Sequence, residues 1–231
     1  MNHVIILAGG VGSRMGLSVP KQYIKVNGKP IFVYSLMKFT SSPEIDSITI
    51  VAEKKWHPFI LSHIQILGGF ENIQITESGS SRQHSIYKGL LAIKGIAGPE
   101  DIVLIHDAVR PLFPTRIIHE GILACAGYDS ALPVIPVKDA TYRSVDKELV
   151  SSILPREELF SGQTPEFFKY KLYFDAHLVL SDDQLSSIRG SSELAFRAGM
   201  SVKMIPGSEQ NFKITTIEDL FLYKKLVGDE N

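Results

Sequence analysis

Residues 5–22 read IILAGGVGSRMGLSVPKQ, and the fold turns on how this stretch is parsed. The apolar run over 4–7 stops at Gly9, which suits a short strand buried on both faces and feeding a loop. The loop carries glycines at 9, 10, 12 and 16 and two cations, Arg14 and Lys21. Glycines let backbone N–H groups approach an anion closely. The spacing G-G-x-G-S-R matches neither G-x-G-x-x-G nor G-x-x-x-x-G-K-[ST], so the dinucleotide fingerprint and the P-loop are both absent. A nicotinamide-dependent reductase would also need an acid about twenty residues beyond the loop; the first acid in the chain is Glu44. A glycine loop followed by Arg14 and the Pro20-Lys21 pair suits a triphosphate, because cations held against a phosphorus that gains negative charge lower its barrier. A tight turn with solvated cations is the competing explanation.

Working outward, the pattern alternates strand and helix. Pro30 opens a helix with Ile31, Tyr34, Leu36 and Phe39 on one side. The β-branched stretch 45–51 reads as a strand, 57–67 as a helix ending at Gly68-Gly69, and 73–75 as a short strand. The small-residue turn 77–85, ESGSSRQHS, opens a helix that stops near Gly95. Residues 102–105 form another fully apolar strand, 114–126 a helix, and 131–137 a strand that Pro133 and Pro136 place at an edge or make irregular. Residues 164–180 read as an amphipathic helix opened by Thr164-Pro165-Glu166, and 191–198 as a shorter one. Short strands are expected over 201–205 and 211–214. A last helix through Leu226 is capped by Thr215 or Thr216, with Glu218 near the capping-box position. This order predicts one α/β domain over 1–231 with a doubly wound, mostly parallel sheet of Rossmann-like type. Residues 138–163 are polar and β-prone around Asp146-Lys147 and read as a protruding hairpin arm.

The 231-residue chain is 44% hydrophobic and 21% charged, enough for a sizeable core. Its formal net charge of −1 gives no whole-molecule case for nucleic acid or membrane binding. Cations are local instead: Arg14, Lys21, Lys25, Lys29 and Lys38 precede the first acid. The single cysteine, Cys125, lies in an apolar run, so neither an internal disulfide nor a cysteine metal site is expected. With no signal-peptide pattern and no apolar stretch near the ~20 residues of a membrane span, the expectation is a cytoplasmic protein. The histidines show no paired metal-ligand spacing, so zinc is not expected.

In open α/β sheets ligands sit at the carboxyl ends of the strands. Three polar stretches begin where an apolar strand stops, at Ala8, Glu77 and His106, and should converge on one crevice. Asp107 ends a buried strand, where a lone carboxylate needs a metal or a cation; Arg110 is a candidate salt-bridge partner. Lys213, between Phe212 and Ile214, is a charge within an apolar segment and also needs a partner.

LAGGVGSRMG, PKQ, SSRQHSIYKGL, HDAVRP, GQTPEFF and NFKITTIEDL, in that order, span nearly the whole chain. Together they resemble the polyol-phosphate cytidylyltransferases, the family of 2-C-methyl-D-erythritol 4-phosphate cytidylyltransferase and D-ribitol-5-phosphate cytidylyltransferase. The resemblance implies a nucleotidyltransferase fold. It implies an enzyme that joins CMP from CTP to a small polyol phosphate with release of pyrophosphate. It also implies roles. Arg14 and Lys21 would stabilise the transition state. Leu7, Ala8, Gly9, Gly10, Gly12 and Ser13 would surround the triphosphate. Gly79, Ser80, Ser81, Arg82 and Ser85 would hold the cytidine. Asp107 would bind Mg²⁺, and Arg156 and Lys213 would position the acceptor's phosphate. The arm would exchange with a second subunit in a homodimer, taking Arg156 to the neighbour's site.

The chain departs from the erythritol-phosphate pattern in two places. Ser80 stands where an acid is usual, and IRGSS at 188–192 replaces a Thr-Asp-Glu motif that borders the acceptor. Gly9, Val109 and Gly162-Gln163 resemble the ribitol-phosphate branch more closely, and favour D-ribitol 5-phosphate as acceptor. The erythritol phosphate is the alternative, and a non-catalytic nucleotide-binding descendant is the alternative of another class.

Overall fold

A computed structural model describes residues 1–10, 19–68 and 71–228. The expectations for Gly12, Ser13 and Arg14 fall outside these residues. In chain order the strands are β1 (Asn2–Leu7), β2 (Lys25–Val26), β3 (Lys29–Pro30), β4 (Ser47–Ala52), β5 (Ile73–Glu77), β6 (Ile102–Asp107), β7 (Ser130–Pro136), β8 (Thr141–Arg143), β9 (Ser152–Leu154), β10 (Phe160–Gly162), β11 (Glu166–Lys169) and β12 (Val202–Pro206). The helices are α1 (Ile31–Thr40), α2 (His57–Leu67), α3 (Arg82–Ala92), α4 (Arg116–Ala124), α5 (Tyr170–Leu178), α6 (Asp182–Ser187), α7 (Ser191–Arg197) and α8 (Ile217–Leu226).

The main sheet runs β5-β4-β1-β6 in parallel register, then β11 antiparallel to both β6 and β7, with β10 and β12 also on β7. Apolar runs become two-faced strands as expected. Val4, Ile6, Ile48, Ile50 and Leu104 pack on one layer with Phe32, Leu36, Phe39 and Ile117. Ile5, Val51, Val103 and Ile105 pack on the other with Ile86, Leu90 and Tyr173. Since β4 follows on one side of β1 and β6 on the other, the sheet order reverses at β1, and the crevice above its carboxyl end is the natural ligand site. A third cluster, Val26, Ile31, Val109, Ile214 and Tyr223, docks the C-terminal segment beside that crevice.

Four local expectations are corrected. The helix expected over 164–180 begins only at Tyr170; before it, after the cis Thr164-Pro165 bond, Glu166–Lys169 is a strand. Phe167 and Phe168 point to opposite faces and are each fully buried, one in each core layer, so insertion between β6 and β7 overrides the helical pattern. β7 is not an edge. It carries β12 on one side and β10 and β11 on the other. It tolerates Pro133 because its missing N–H falls in the gap between the β11 pairing, at Ser130 and Ala131, and the β10 pairing, which starts at Val134, and Pro136 because the β12 pairing ends earlier, at Val134. Residues 211–214 form no strand, though Ile214 N donates to Val109 O at 2.9 Å. The α8 capping box joins Thr216 to Asp219, not to Glu218.

Only part of the stretch expected as an arm stands apart from the main sheet. β8 and β9 form a separate antiparallel hairpin, and β10 returns to the main sheet against β7. Cys125 is buried in the core, as expected. Among the described residues no helix is long and apolar enough to cross a membrane.

Candidate active site

The loop after β1 is held from below. Ala8 N donates to Val51 O at 2.8 Å, and Ala8 O accepts from Gln22 Nε2 at 2.6 Å and from the Tyr23 hydroxyl at 2.9 Å. The same Gln22 amide donates to Gly10 O at 2.8 Å. Tyr23 is stacked on Trp56 with ring centroids 4.3 Å apart. The single turn Lys21–Tyr23 is thereby fixed to the loop, and Lys21 is set at the crevice. A side chain at Gly9 would place Cβ 2.6 Å from Ser78 Cβ, so the loops after β1 and β5 can touch only because Gly9 has none.

The β5–α3 loop forms the facing wall. Ser81 caps α3 by accepting from His84 N at 3.2 Å. The Ser85 hydroxyl donates to Ser81 O at 2.9 Å and accepts from Gly79 N at 3.0 Å, which closes the loop on itself. A Cβ on Gly79 would meet His84 Cβ at 2.4 Å, so this turn also requires glycine. Ser80 reaches His84 Nδ1 at 2.7 Å. The N-terminus of α3 thus faces the cleft, an arrangement that favours anions.

At the floor, the Asp107 carboxylate meets three cations. Lys213 Nζ lies 2.9 Å from Oδ2, Arg82 Nη2 3.4 Å from Oδ1 and Arg110 Nε 3.8 Å from Oδ2. Burial alone would raise its pKa; Arg82, Lys213 and Arg110 together outweigh burial and hold it well below the usual carboxylate range. Behind it, Thr164 Oγ1 accepts from Asp107 N at 3.1 Å and lies 3.2 Å from His106 Nδ1. His106 is fully buried, and burial pushes its pKa down to about 3. Neutral His106 therefore pairs with the Thr164 hydroxyl and backs the floor without adding charge. Arg110 is anchored by donating to Asn211 O at 2.5 Å.

These walls enclose a cleft of about 510 Å³, and a second cleft of about 280 Å³ adjoins it. Of the residues expected at the site, Leu7, Gly9, Gly10, Lys21, Gly79, Ser80, Ser81, Arg82, Ser85, Asp107 and Lys213 border the first cleft. Ala8 does not; it is buried beneath the loop. Arg82, Asp107 and Lys213 border both clefts. Arg82 turns inward, donating to Ser191 Oγ at 2.6 Å, so it forms the junction of the clefts more than the wall of one. Arg156 borders neither cleft of its own chain. It sits on the arm, 3.4 Å from Glu157 Oε1 and from Lys138 O.

Sequence reasoning does not place Gln22, Thr164 or Glu166 at the site, and names Gln163 only as part of the Gly162-Gln163 pair that resembles the ribitol-phosphate branch. Their only signal was adjacency to Lys21 and to the motif around Pro165; their roles depend on contacts distant in sequence. Among the described residues no group of three or more His, Cys, Asp or Glu side chains could hold a metal. One carboxylate at an anion-seeking cleft fits a Mg²⁺ ion only if the ligand's phosphates and water complete its shell.

Residues 2–228 match the family model for 2-C-methyl-D-erythritol 4-phosphate cytidylyltransferase. The chain is 33% identical over 228 residues to the protein of that name from Geotalea uraniireducens, covering 98% of this chain and 97% of the relative. It is 34% identical over 230 residues to ribitol-5-phosphate cytidylyltransferase of Lactiplantibacillus plantarum, covering 98% of each. The solved 4-diphosphocytidyl-2C-methyl-D-erythritol synthase of Anaerococcus prevotii superposes with a TM-score of 0.83 at 25% identity, covering 98% of this chain and 96% of that one.

Proposed function

The chain belongs to the 2-C-methyl-D-erythritol 4-phosphate cytidylyltransferase family and is a nucleotidyltransferase, and from that premise we propose how its clefts divide the work. CTP occupies the larger cleft and a small polyol phosphate the smaller. The observation that carries this reading is the sharing of Asp107, Arg82 and Lys213 by both clefts, because the reacting phosphates must meet where the two spaces join.

The acceptor phosphate oxygen attacks the α-phosphorus of CTP in line. The bond to the bridging oxygen breaks, and pyrophosphate leaves. A phosphate monoester is already ionised at neutral pH, so catalysis needs positioning and charge stabilisation, with no general base. Lys21, with Arg14 from the glycine loop, faces the charge that grows on the phosphoryl oxygens. Lys213 and Arg110 attract the acceptor phosphate to the floor. Asp107 is the residue that would hold Mg²⁺, which when bound neutralises phosphate charge; otherwise Asp107 orients Lys213. Leu7, Gly9, Gly10 and the α3 N-terminus, with Ser80 and Ser81, hold the nucleotide.

The arm supports a homodimer. Tyr142, Val145, Leu149, Val150 and Ile153 are all more than half exposed on it. A second copy of the chain would bury them, and would bring Arg156 to the partner's acceptor phosphate. Both substrates are multiply charged metabolites, which supports a cytoplasmic enzyme.

D-ribitol 5-phosphate is the preferred acceptor, on the strength of Gly9, Val109 and Gly162-Gln163. The methylerythritol phosphate of isoprenoid precursor synthesis is the second reading, favoured by the family model and the Geotalea relative. Pyrophosphate release from CTP, measured with both acceptors and other four- and five-carbon polyol phosphates, tests the proposal. Release with one or more of them is expected, and none with any would overturn it.

A further inference from the structure

Glu166 is a buried acid that the transfer reaction above does not use. It opens β11, is 6% exposed and borders the second cleft. Its Oε2 is saturated by Ser192, accepting from the backbone N–H at 2.8 Å and from the hydroxyl at 2.6 Å. Oε1 is ion-paired with Arg82 Nη2 at 3.5 Å, longer than a good hydrogen bond; the same guanidinium bonds Ser191 Oγ through Nη1 at 2.6 Å, and its Nη2 lies 3.4 Å from Asp107 Oδ1. Among the described residues no hydrogen bond reaches Oε1. The clamp thus fixes the carboxylate and leaves one oxygen with acceptor capacity on the cleft wall.

The two-cleft reading, on which this inference rests, gives the acceptor a direction. Its phosphate sits at the junction formed by Asp107, Arg82 and Lys213, so its carbon chain runs into the second cleft, past Glu166. With only the long ion pair to Arg82 on it, that oxygen keeps a lone pair for a donor from the ligand. A hydroxyl supplies one; a ligand carboxylate would face a like charge. We propose that Glu166 is a specificity-determining residue. It accepts a hydrogen bond from a hydroxyl on the non-phosphorylated part of the acceptor. The enzyme thereby selects neutral polyhydroxy acceptors over sugar-acid phosphates. Arg189, exposed at the rim of the same cleft, favours the opposite choice, which makes the comparison decisive.

The experiment uses the full chain with CTP and three kinds of acceptor: D-ribitol 5-phosphate, its monodeoxy analogues and the corresponding aldonic acid 5-phosphate. The wild-type enzyme should lose roughly 10- to 100-fold in kcat/KM when the contacted hydroxyl becomes hydrogen, the range for a hydrogen bond to a charged group. It should lose at least as much with the sugar acid. Glu166→Gln keeps an oxygen for Ser192 but puts an amide N–H₂ in place of the acceptor Oε1. It should raise the acceptor KM more than it lowers kcat, leave the CTP KM in place, and shrink the deoxy penalty to within about 3-fold, the scatter of a contact that is no longer made. Identical deoxy penalties in the two enzymes would overturn the proposal. So would a wild-type enzyme that uses the sugar acid as well as the polyol, a result obtained even if the variant does not fold. The methylerythritol phosphate and its deoxy analogues run the same test if that is the acceptor used. No turnover with any acceptor would instead refute cytidylyl transfer itself.

Discussion

Lys213 Nζ and Asp107 Oδ2 lie 2.9 Å apart, although 106 positions separate them in the chain. The contact exists because Ile214 is fully buried in the third apolar cluster and its backbone bonds to Val109, two residues past the aspartate. The apolar neighbour therefore delivers the cation. Asp107→Asn would leave Lys213, Arg82 and Arg110 facing a neutral amide. It should cost about 3 kcal/mol in unfolding free energy, the scale for removing one partner of a buried ion cluster. Activity should fall as well, and denaturant melts alongside turnover measurements check both. An unchanged midpoint would show that the three cations do not depend on this carboxylate.

Lys21→Ala should lower kcat at least ~100-fold, the scale of a lost transition-state donor, with a much smaller change in CTP affinity. Arg156→Ala should act on the acceptor KM. If the arm carries Arg156 into the partner's site, equimolar mixing of the two variants assembles one intact site per heterodimer. Activity at low acceptor concentration should then rise above that of either variant alone. Strict additivity of the two residual rates would place Arg156 in its own protomer or outside the site.

Gly9→Ala should destabilise the protein by about 1–3 kcal/mol, because the new methyl overlaps Ser78 Cβ. Adding Ser78→Gly removes the obstructing atom and should recover most of the loss. A thermal-melt cycle of the four proteins measures this coupling.

How far could the chain be read without its structure? The apolar runs of β1, β4 and β6 were legible because both faces are buried, and so was the convergence of the loops that follow them. The Phe167-Phe168 strand was not. Its neighbours Tyr170 to Leu178 are genuinely helical, and only the gap between β6 and β7 decides where the helix starts. The turn between β2 and β3 is legible in Asn27-Gly28, where positive φ at both residues is what an Asn-Gly hairpin predicts. Asp107 was recognised as a charge needing a partner, but which of Arg82, Arg110 and Lys213 would supply it depends on contacts 3 to 106 residues away. Arg82 illustrates the limit best: its motif suggested the nucleotide, while its guanidinium turns to Ser191 and Glu166.

His177 gives a pH dependence whose sign is fixed. Burial first, opposed by its hydrogen bond to Tyr173 O, brings its pKa down to about 4, and its Nε2 is buried without a partner. The unfolded chain takes up a proton near pH 6.5. Between about pH 6.5 and 4 the unfolded state therefore binds the proton and the folded state does not, so stability falls as the solution is acidified through that window. The loss sums to about 3 kcal/mol by pH 4. His177→Leu should reduce the slope of this part of the stability profile, with buried His106 supplying the slope that remains, and leave the region above pH 7 unaffected. An identical slope in the variant would assign the effect to another group.

The most direct test of cytidylyl transfer is identification of the products. Incubating the enzyme with CTP, Mg²⁺ and D-ribitol 5-phosphate or the methylerythritol phosphate, and resolving the mixture by ³¹P NMR and mass spectrometry, should give a CDP-polyol and pyrophosphate in equal amounts. Formation of CDP with orthophosphate, or of CMP without a polyol adduct, would contradict attack at the α-phosphorus by an acceptor phosphate.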